Sequence, residues 1–341
     1  MDNELLLFDR INVIKDTITK YGEENFYLSF SGGKDSTILH YLLDMALPNN
    51  QIPRVFINTG IEYQMIVDFV KGLAAKDDRF IILQPTQAIK PMLEKHGYPF
   101  KSKEFARRVY DYNSVHGNID RFIDMPTEEY KEYMLSHKEE EKQLVGKGIF
   151  IVNYLHGLRS KRDKNGYLVK YIDATKFKIP DKLRYLFSKD NKLKINNTCC
   201  LKLKKEPAHR YEKESGRTIV LTGMRRDEGG QRANIKGCIL TDNKGNVKKF
   251  HPLLVVTDAW ENWLIQEKKI ELCPLYKEPY NFQRTGCKGC PFSLDLQEQL
   301  EIMELYLPNE RRQCEMIWKP VYDEYRRLNY RLKKNEQIKL F

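Results

Sequence analysis

Residues Ser29 to Ser36 read Ser-Phe-Ser-Gly-Gly-Lys-Asp-Ser and bring together the side chains that hold phosphate. Gly32 and Gly33 let the backbone turn tightly and approach a ligand. Backbone N–H groups at the start of a following helix face that ligand, and the helix dipole favours an anion there. Ser29 opens the loop, Ser31 and Ser36 add hydroxyl donors, and Lys34 adds a point charge for phosphate. Asp35 reads as a carboxylate that helps hold Mg2+ or orders the loop, with plain helix capping as the alternative.

A second set of residues suits a metal. Cys199 and Cys200 are adjacent, and Cys287 and Cys290 form a C-x2-C flanked by glycines. Such a turn aims both sulfurs at one point. Adjacent cysteines diverge in extended structure and rarely chelate one zinc, whereas a 4Fe–4S cluster is wider and offers separate irons. Three readings stand: four buried thiols acting as small apolar groups, a structural zinc, or a 4Fe–4S cluster on Cys199, Cys200, Cys287 and Cys290. Lys202, Lys204, Lys205 and Lys288 lie close in sequence and could offset four thiolates. Cys238, Cys273 and Cys314 lack partners at ligand spacing, and seven cysteines, an odd number, argue against a disulfide framework.

The phosphate loop needs a strand before it and a helix after it. Phe26 to Phe30 is strand-like and Thr37 to Met45 helical, and an amphipathic helix precedes them over residues 4–20. The rhythm repeats with a strand at Arg54 to Asn58, a helix at Met65 to Ala75 and a strand at Phe80 to Gln84. This alternation predicts a parallel α/β sheet with ligands at the carboxyl ends of its strands. It resumes at Thr218 to Thr222, ending in Gly223, with a late strand or extended arm at Lys249 to Val256. A helix then follows at Asp258 to Lys268, with Trp260, Trp263 and Leu264 on one face. Between the two parts, residues 105–196 are rich in Lys, Glu, Asp and Tyr and read as an inserted, mostly helical lobe. Within it Glu128 to Glu141 reads as an exposed charged helix, and residues 157–175 show no clear period. The expected division is a nucleotide-binding domain over 1–104 and 197–295, the lobe over 105–196, and a basic helical region over 296–341.

The 341 residues carry a net charge of +11, which suits an anionic partner such as a nucleotide, nucleic acid or an acidic protein, or simply a solvated basic surface. Cations concentrate from Lys202 to Arg217 and from Arg311 to Lys339. In the second stretch Arg311-Arg312, Arg326-Arg327 and Lys333-Lys334 alternate with Tyr322, Tyr325 and Tyr330. That pattern suits base stacking with phosphate contact, and equally an amphipathic helix with its tyrosines inward. No run approaches the ~18 apolar residues of a membrane span. Met1-Asp2-Asn3-Glu4 has acids where a signal peptide wants cations, so a cytoplasmic location without membrane contact is expected.

Further pieces fall in a definite order: Phe56 to Glu62, Gly97-Tyr98-Pro99-Phe100, Cys199-Cys200 with Lys204 to Pro207, Gly223 to Glu228 with Arg232, His251-Pro252-Leu253, Asp258-Ala259-Trp260, Pro274-Leu275-Tyr276 and Cys287 to Phe292. With the loop, they make the chain resemble the phosphoadenosine phosphosulfate (PAPS) reductase family of the PP-loop ATP pyrophosphatase superfamily, over about residues 20–295 apart from the lobe. The resemblance implies an adenine nucleotide alpha-hydrolase-like, Rossmann-like fold. It also implies that Thr59, Gly60 and Glu62 lie near the nucleotide, that Gly223 adjoins it, and that Arg225 and Arg232 face its phosphates or sulfate. Lys34 and Asp35 would then be catalytic together with these two arginines. The double-cysteine and C-x2-C pattern looks like that of iron–sulfur adenosine phosphosulfate (APS) reductases, in which all four cysteines bind the cluster.

Two features depart from the reductases. Their terminal Glu-Cys-Gly motif, whose cysteine attacks sulfur, has no counterpart after Cys314, although Arg311 and Arg312 could activate Cys314 itself. The Gly-Gly-Lys-Asp-Ser loop is more similar to that of ATP-cleaving members, and Gly229 stands where the family commonly has Ser. The leading expectation is therefore an enzyme that cleaves ATP with Mg2+ to AMP and pyrophosphate and activates an acceptor for sulfur transfer. That acceptor would be DNA or a tRNA base, and the sulfur donor a protein such as a cysteine desulfurase. The alternatives are an APS or PAPS reductase and a non-catalytic nucleotide-sensing regulator.

Overall fold

The structure, a computed structural model, describes residues 2–174 and 179–333. Lys334 and the rest of the C-terminal basic run lie outside the described residues. The strands in chain order are β1 (Phe26–Ser29), β2 (Arg54–Ile57), β3 (Phe80–Leu83), β4 (Leu158–Arg162), β5 (Leu168–Asp173), β6 (Ile219–Leu221), β7 (Ile239–Thr241) and β8 (Val247–Phe250). The helices are α1 (Asn3–Tyr21), α2 (Lys34–Ala46), α3 (Gln64–Ala74), α4 (Ile89–His96), α5 (Lys103–Tyr112), α6 (His116–Ile119), α7 (Thr127–Ser136), α8 (Lys138–Leu144) and α9 (Ile149–His156). After these come α10 (Glu206–Ser215), α11 (Asp258–Glu267), α12 (Leu296–Tyr306) and α13 (Pro308–Arg327). Two compact units result. The first comprises Met1–Ile89, Cys200–Gly289 and Gln299–Cys314; the second comprises Lys90–Cys199, Cys290–Glu298 and Glu315–Phe341.

The first unit holds a six-stranded sheet in the order β3-β2-β1-β6-β8-β7. Every neighbouring pair is parallel except β7 with β8, which closes one edge. This is the α/β class that the sequence rhythm implies. The strand order reverses between β1 and β6, so the loops leaving these strands diverge and open a crevice. Phe26, Leu28, Val55, Phe56 and Leu221 are buried, as the near-continuous apolar runs of a covered parallel sheet require.

A buried polar clamp fixes α2 to the sheet. Arg54, fully buried at the start of β2, reaches Asp44 near the end of α2 (2.6 Å), Asn50 (2.7 Å) and His40 Nδ1 (3.1 Å). Asp44 is shared with Arg79 (2.9 Å), which also holds Asp77 (2.7 Å). A fully buried arginine is tolerable only when paired and hydrogen-bonded in this way. At its other end α2 begins at Lys34, three residues earlier than the apolar pattern suggested. The loop itself supplies the first turn, with the Thr37 N–H donating to Gly33 O at 3.0 Å.

The second unit is helical with one hairpin. Residues 157–175 contain the antiparallel pair β4–β5, which pairs Arg159 with Ile172, Ser160 with Tyr171 and Lys161 with Lys170. Alternation was hidden because the outward face carries Arg159, Lys161 and Lys170, while the inner face packs Tyr171 against Tyr130 of α7. Glu128 to Glu141 is two helices broken at His137, and it is not wholly exposed. Tyr130 and Met134 are buried, and buried Glu141 pairs with Arg162 at 2.5 Å. Further along, Lys249 to Val256 is strand only to Phe250, and its remainder turns inward, with Leu253, Leu254 and Val256 buried. Tyr322 and Tyr325 of α13 are fully buried, which fits the amphipathic reading of that helix and leaves neither ring exposed for base stacking.

Candidate functional site

The loop after β1 is held by its own serines. The Ser31 N–H donates to Ser36 Oγ (3.2 Å), the two hydroxyls lie 3.0 Å apart, and Ser36 Oγ donates to Gly33 O (3.0 Å). Gly32 sits at φ 71°, where a Cβ would also lie 2.9 Å from Ile66 Cγ2, so the turn demands glycine. The Lys34 N–H donates to Tyr276 Oη (3.1 Å), which in turn bonds Thr285 Oγ1 (2.6 Å). A tyrosine 242 residues away thus reaches the first amide of α2.

The loop after β6 faces it. Gly223 packs directly on the Asp35 backbone. Together the two loops line a cleft of about 580 Å3 whose walls include Ser29, Ser31, Gly33, Lys34, Asp35, Ser36, Gly223, Arg225 and Arg232. Nine residues singled out for nucleotide binding therefore meet in one cavity, although 187 positions separate Ser36 of the first loop from Gly223 of the second. Glu228, Asp258 and Arg284 complete its charged lining.

Each cation of the cleft is matched by acid. Arg225, buried, bonds Asp258 Oδ1 at 2.7 Å and lies 3.2 Å from Glu261 Oε1, 3.4 Å from Asp35 Oδ1 and 3.8 Å from Asp227 Oδ2. Lys34 Nζ is 3.5 Å from Asp258 and 3.4 Å from Glu261. Glu228 accepts from Arg284 (2.5 Å) and pairs with Arg232. Burial first, then the charge of Asp35, pushes the Glu261 carboxyl up to about 8. Burial first, then neighbouring Arg284, pulls Arg232 below the usual guanidinium range. Asp35 lies against both the Arg225 guanidinium and the Gly223 backbone.

A second recess, about 380 Å3 and mainly apolar, shares Ser29, Ser31, Thr222, Met224 and Thr285 with the first. It is walled by Tyr27, Val55, Phe56 and Ile57 at the strand ends and by Glu62, Lys204 and His251. His251 bonds Thr222 Oγ1 at 2.6 Å, and burial, then Lys249, pulls its imidazole down to about 4. A polar charged chamber joined to an apolar one suits a ligand with a phosphate chain and an aromatic base.

Gly32, Thr59 and Gly60 line neither recess. Thr59 instead binds the Glu62 carboxylate through its N–H (2.8 Å) and hydroxyl (2.7 Å), and Glu62 lies 3.6 Å from Lys204 Nζ. Glu261, Arg284 and Thr285 were not singled out by sequence, and Asp227, Glu228, Asp258 and Tyr276 figured only as pieces of a resemblance. Asp258 and Glu261 form an i, i+3 acid pair at the start of a helix, a signal too common to mark a site.

The cysteines lie in helical and turn backbone. Cys200 (φ −65°, ψ −30°) leads into a π-helical turn over Leu201–Lys205, so the adjacent pair is not extended as expected. In the first unit Lys204 hydrogen-bonds the Cys287 thiol, with Cys200 close enough to influence both; burial pushes that thiol up. In the second unit Cys199 is buried, and Cys290 lies near Tyr325. Of the lysines expected beside the thiols, Lys202 bonds Glu206 (2.6 Å) and Lys288 bonds Glu310 and Gln313. No group of three or more His, Cys, Asp or Glu side chains is gathered as a metal site among the described residues. Cys314 is fully buried, with its sulfur 3.9 Å from Met303 Sδ, while Arg311 and Arg312 turn to Glu304 and Asn309. Among the described residues no helix is long and apolar enough to cross a membrane.

An uncharacterised protein of Methanocaldococcus jannaschii is 31% identical over 101 residues, which is 29% of this chain and 24% of that protein's length. The chain thus matches about a quarter of that relative. Among solved structures, PAPS reductase from Candida auris in a phosphate complex aligns with a TM-score of 0.35 at 14% identity, over 78% of this chain and 88% of that one. NH3-dependent NAD synthetase from Campylobacter jejuni with a nitrate ion aligns with a TM-score of 0.36 at 12% identity, over 94% and 95%. The family model described as the phosphoadenosine phosphosulfate reductase domain matches residues 25–147 and 169–293. That span takes in both strands whose loops build the cleft, and by it the chain belongs to the phosphoadenosine phosphosulfate reductase domain family.

Proposed function

We propose that this protein binds Mg2+–ATP, cleaves it between the α- and β-phosphates, and uses the resulting adenylate to prepare an acceptor for sulfur transfer. The observation that carries the reading is the convergence of Lys34, Arg225 and the start of α2 on one cleft at the β1/β6 crevice. The acceptor oxygen attacks the α-phosphorus, the bridging P–O bond breaks, and pyrophosphate leaves against Lys34 and the arginines. A sulfur nucleophile then displaces AMP. The adenine fits the apolar recess beside Phe56 and Ile57.

The charge balance favours a nucleotide that brings its own metal ion. Lys34, Arg225, Arg232 and Arg284 face Asp35, Asp227, Glu228, Asp258 and Glu261, so a bare polyanion meets little net attraction. Mg2+ on the phosphate oxygens lowers the ligand's charge before it enters.

The 4Fe–4S cluster is proposed on the spacing of Cys199, Cys200, Cys287 and Cys290, supported by the pairing of Lys204 with Cys287. When bound it would supply iron sites and a delocalised charge; no step above runs through it. DNA or a tRNA base as acceptor, and a persulfide-bearing protein as donor, belong to the same proposal and are supported by the net charge of +11.

The family match supports a second reading, reduction of APS or PAPS to sulfite with an altered thiol of this chain or an external one. Buried Cys314 does not suit the role of the chain's own thiol. The two readings separate by product. Pyrophosphate release from ATP without sulfite release from APS or PAPS supports the first. Sulfite with thioredoxin supports the second. Tight ATP binding with neither product would leave a nucleotide sensor.

A further inference from the structure

Helix α11 sends two carboxylates to the same pair of cations, and they differ in one respect that matters. Asp258 lines the cleft with its side chain 63% exposed, and its Oδ1 bridges Arg225 Nη2 (2.7 Å) and Lys34 Nζ (3.5 Å). Glu261 lies one turn further along, is fully buried and does not line the cleft, yet reaches the same two groups at 3.2 and 3.4 Å. An exposed carboxylate regains its hydration when a competing anion displaces it; a buried one has no water to turn to.

We propose that Asp258 is an internal competitor of the phosphate chain, giving up Lys34 and Arg225 to an incoming phosphate oxygen while buried Glu261 keeps its place beneath them. This rests on the reading of the cleft as a phosphate site. Arg225 supports it independently. Arg225 is 4% exposed, and its Nε and Nη1, though 3.2–3.8 Å from the carboxylates of Glu261, Asp35 and Asp227, make no hydrogen bond in the described residues. A buried donor left short in this way favours an added oxyanion. The competitor is also held in place: the Asp258 N–H donates to Asp227 Oδ2 (3.0 Å), and Thr257 Oγ1 caps the helix through the Trp260 N–H (3.3 Å). Asp258 can therefore release its cations by a side-chain rotation that leaves α11 where it is.

The competition makes two effects of one substitution run in opposite directions. In Asp258→Asn the protein without added ligand melts lower, because Arg225 loses a charge-assisted bond. The same variant binds inorganic pyrophosphate about tenfold more tightly, because a like charge no longer contests the site. A purely structural residue would lower both. The measurement is calorimetric titration of pyrophosphate, and separately of Mg2+–ATP, into the full chain, its Asp258→Asn variant and its Asp258→Ser variant, with a melting curve of each. Serine is the second choice should asparagine disturb the fold, since both suit a helix start. Tighter pyrophosphate binding in a folded variant supports the proposal, including the case in which only the variants bind. Equal or weaker binding overturns it, as does absence of binding in all three. If pyrophosphate binds more tightly to the variants while Mg2+–ATP is never cleaved, the competition stands and the ATP-cleaving reading falls.

Discussion

A Cβ built on Gly223 would lie 2.8 Å from the carbonyl oxygen of Asp35 and 2.9 Å from its Cβ. The loop after β6 and the first turn of α2 therefore touch through backbone, and the width of the phosphate cleft is set at that contact. Gly223→Ala should force the two loops apart. We expect a folded protein destabilised by about 1–3 kcal/mol, as for an overpacked site, with nucleotide affinity reduced at least tenfold. Denaturant midpoints and nucleotide titration check both, and unchanged affinity would show that the contact does not set the site.

Arg225 is the hub of the cleft's charges, and its fork geometry matters as much as its charge. Arg225→Met should cost roughly 3–5 kcal/mol of stability by leaving Asp35, Asp258 and Glu261 crowded together without their shared cation. Arg225→Lys should recover most of that stability without recovering nucleotide affinity. Chemical denaturation alongside titration of Mg2+–ATP separates the two effects.

Acid should unfold the protein through two buried imidazoles. Burial, then Arg54, pulls His40 down from 6.5 to about 4; burial, then Lys249, does the same to His251. The folded protein keeps both neutral where the unfolded chain takes up protons. Their stabilising contribution is full above pH 6.5 and is lost as pH falls toward 4, at up to about 1.4 kcal/mol per unit for each. Midpoints measured from pH 7 to 4.5 should fall, and less steeply in His251→Gln.

Glu261 acts in the opposite direction. Its carboxyl ionises near 4.5 in the unfolded chain and at about 8 in the folded protein. Below pH 4.5 the group is neutral in both states and costs nothing. Between 4.5 and 8 the folded protein must hold the proton, so stability falls as pH rises, by up to about 1.4 kcal/mol per unit. Glu261→Gln should remove that slope and melt higher than the wild type near pH 8. A variant whose slope matches the wild type would assign it to other groups.

Protein purified without oxygen should be brown and carry about four irons and four sulfides per chain. Cys200→Ser and Cys287→Ser should each lose most of the iron, whereas Cys238→Ser should keep it. Colourless protein free of iron, sulfide and zinc would leave the four cysteines as packing groups.

Much of the first unit was legible in the chain. Its buried strands are short apolar runs, and its helices keep an apolar stripe, so local pattern and final environment agree. The second unit was harder to read. Its hairpin is covered on one side only, and the charged outer face of Arg159, Lys161 and Lys170 broke the alternation. The charged run from Glu128 to Glu141 hid two buried residues, Tyr130 and Met134, because its many acids and lysines dominate the pattern.

The sequence alone makes the glycine loop legible, since a glycine turn between an apolar strand and a helix acts through backbone neighbours a few residues away. It also determined that Arg225 and Arg232 follow a strand end. Which acids those cations meet, and which residue reaches the first amide of α2, depends on the folded chain. Asp258 lies 224 positions from Lys34 and Tyr276 lies 242 positions from it, and no periodicity links positions so far apart. They meet because the sheet order places β6 beside β1, which brings the ends of distant strands to one crevice.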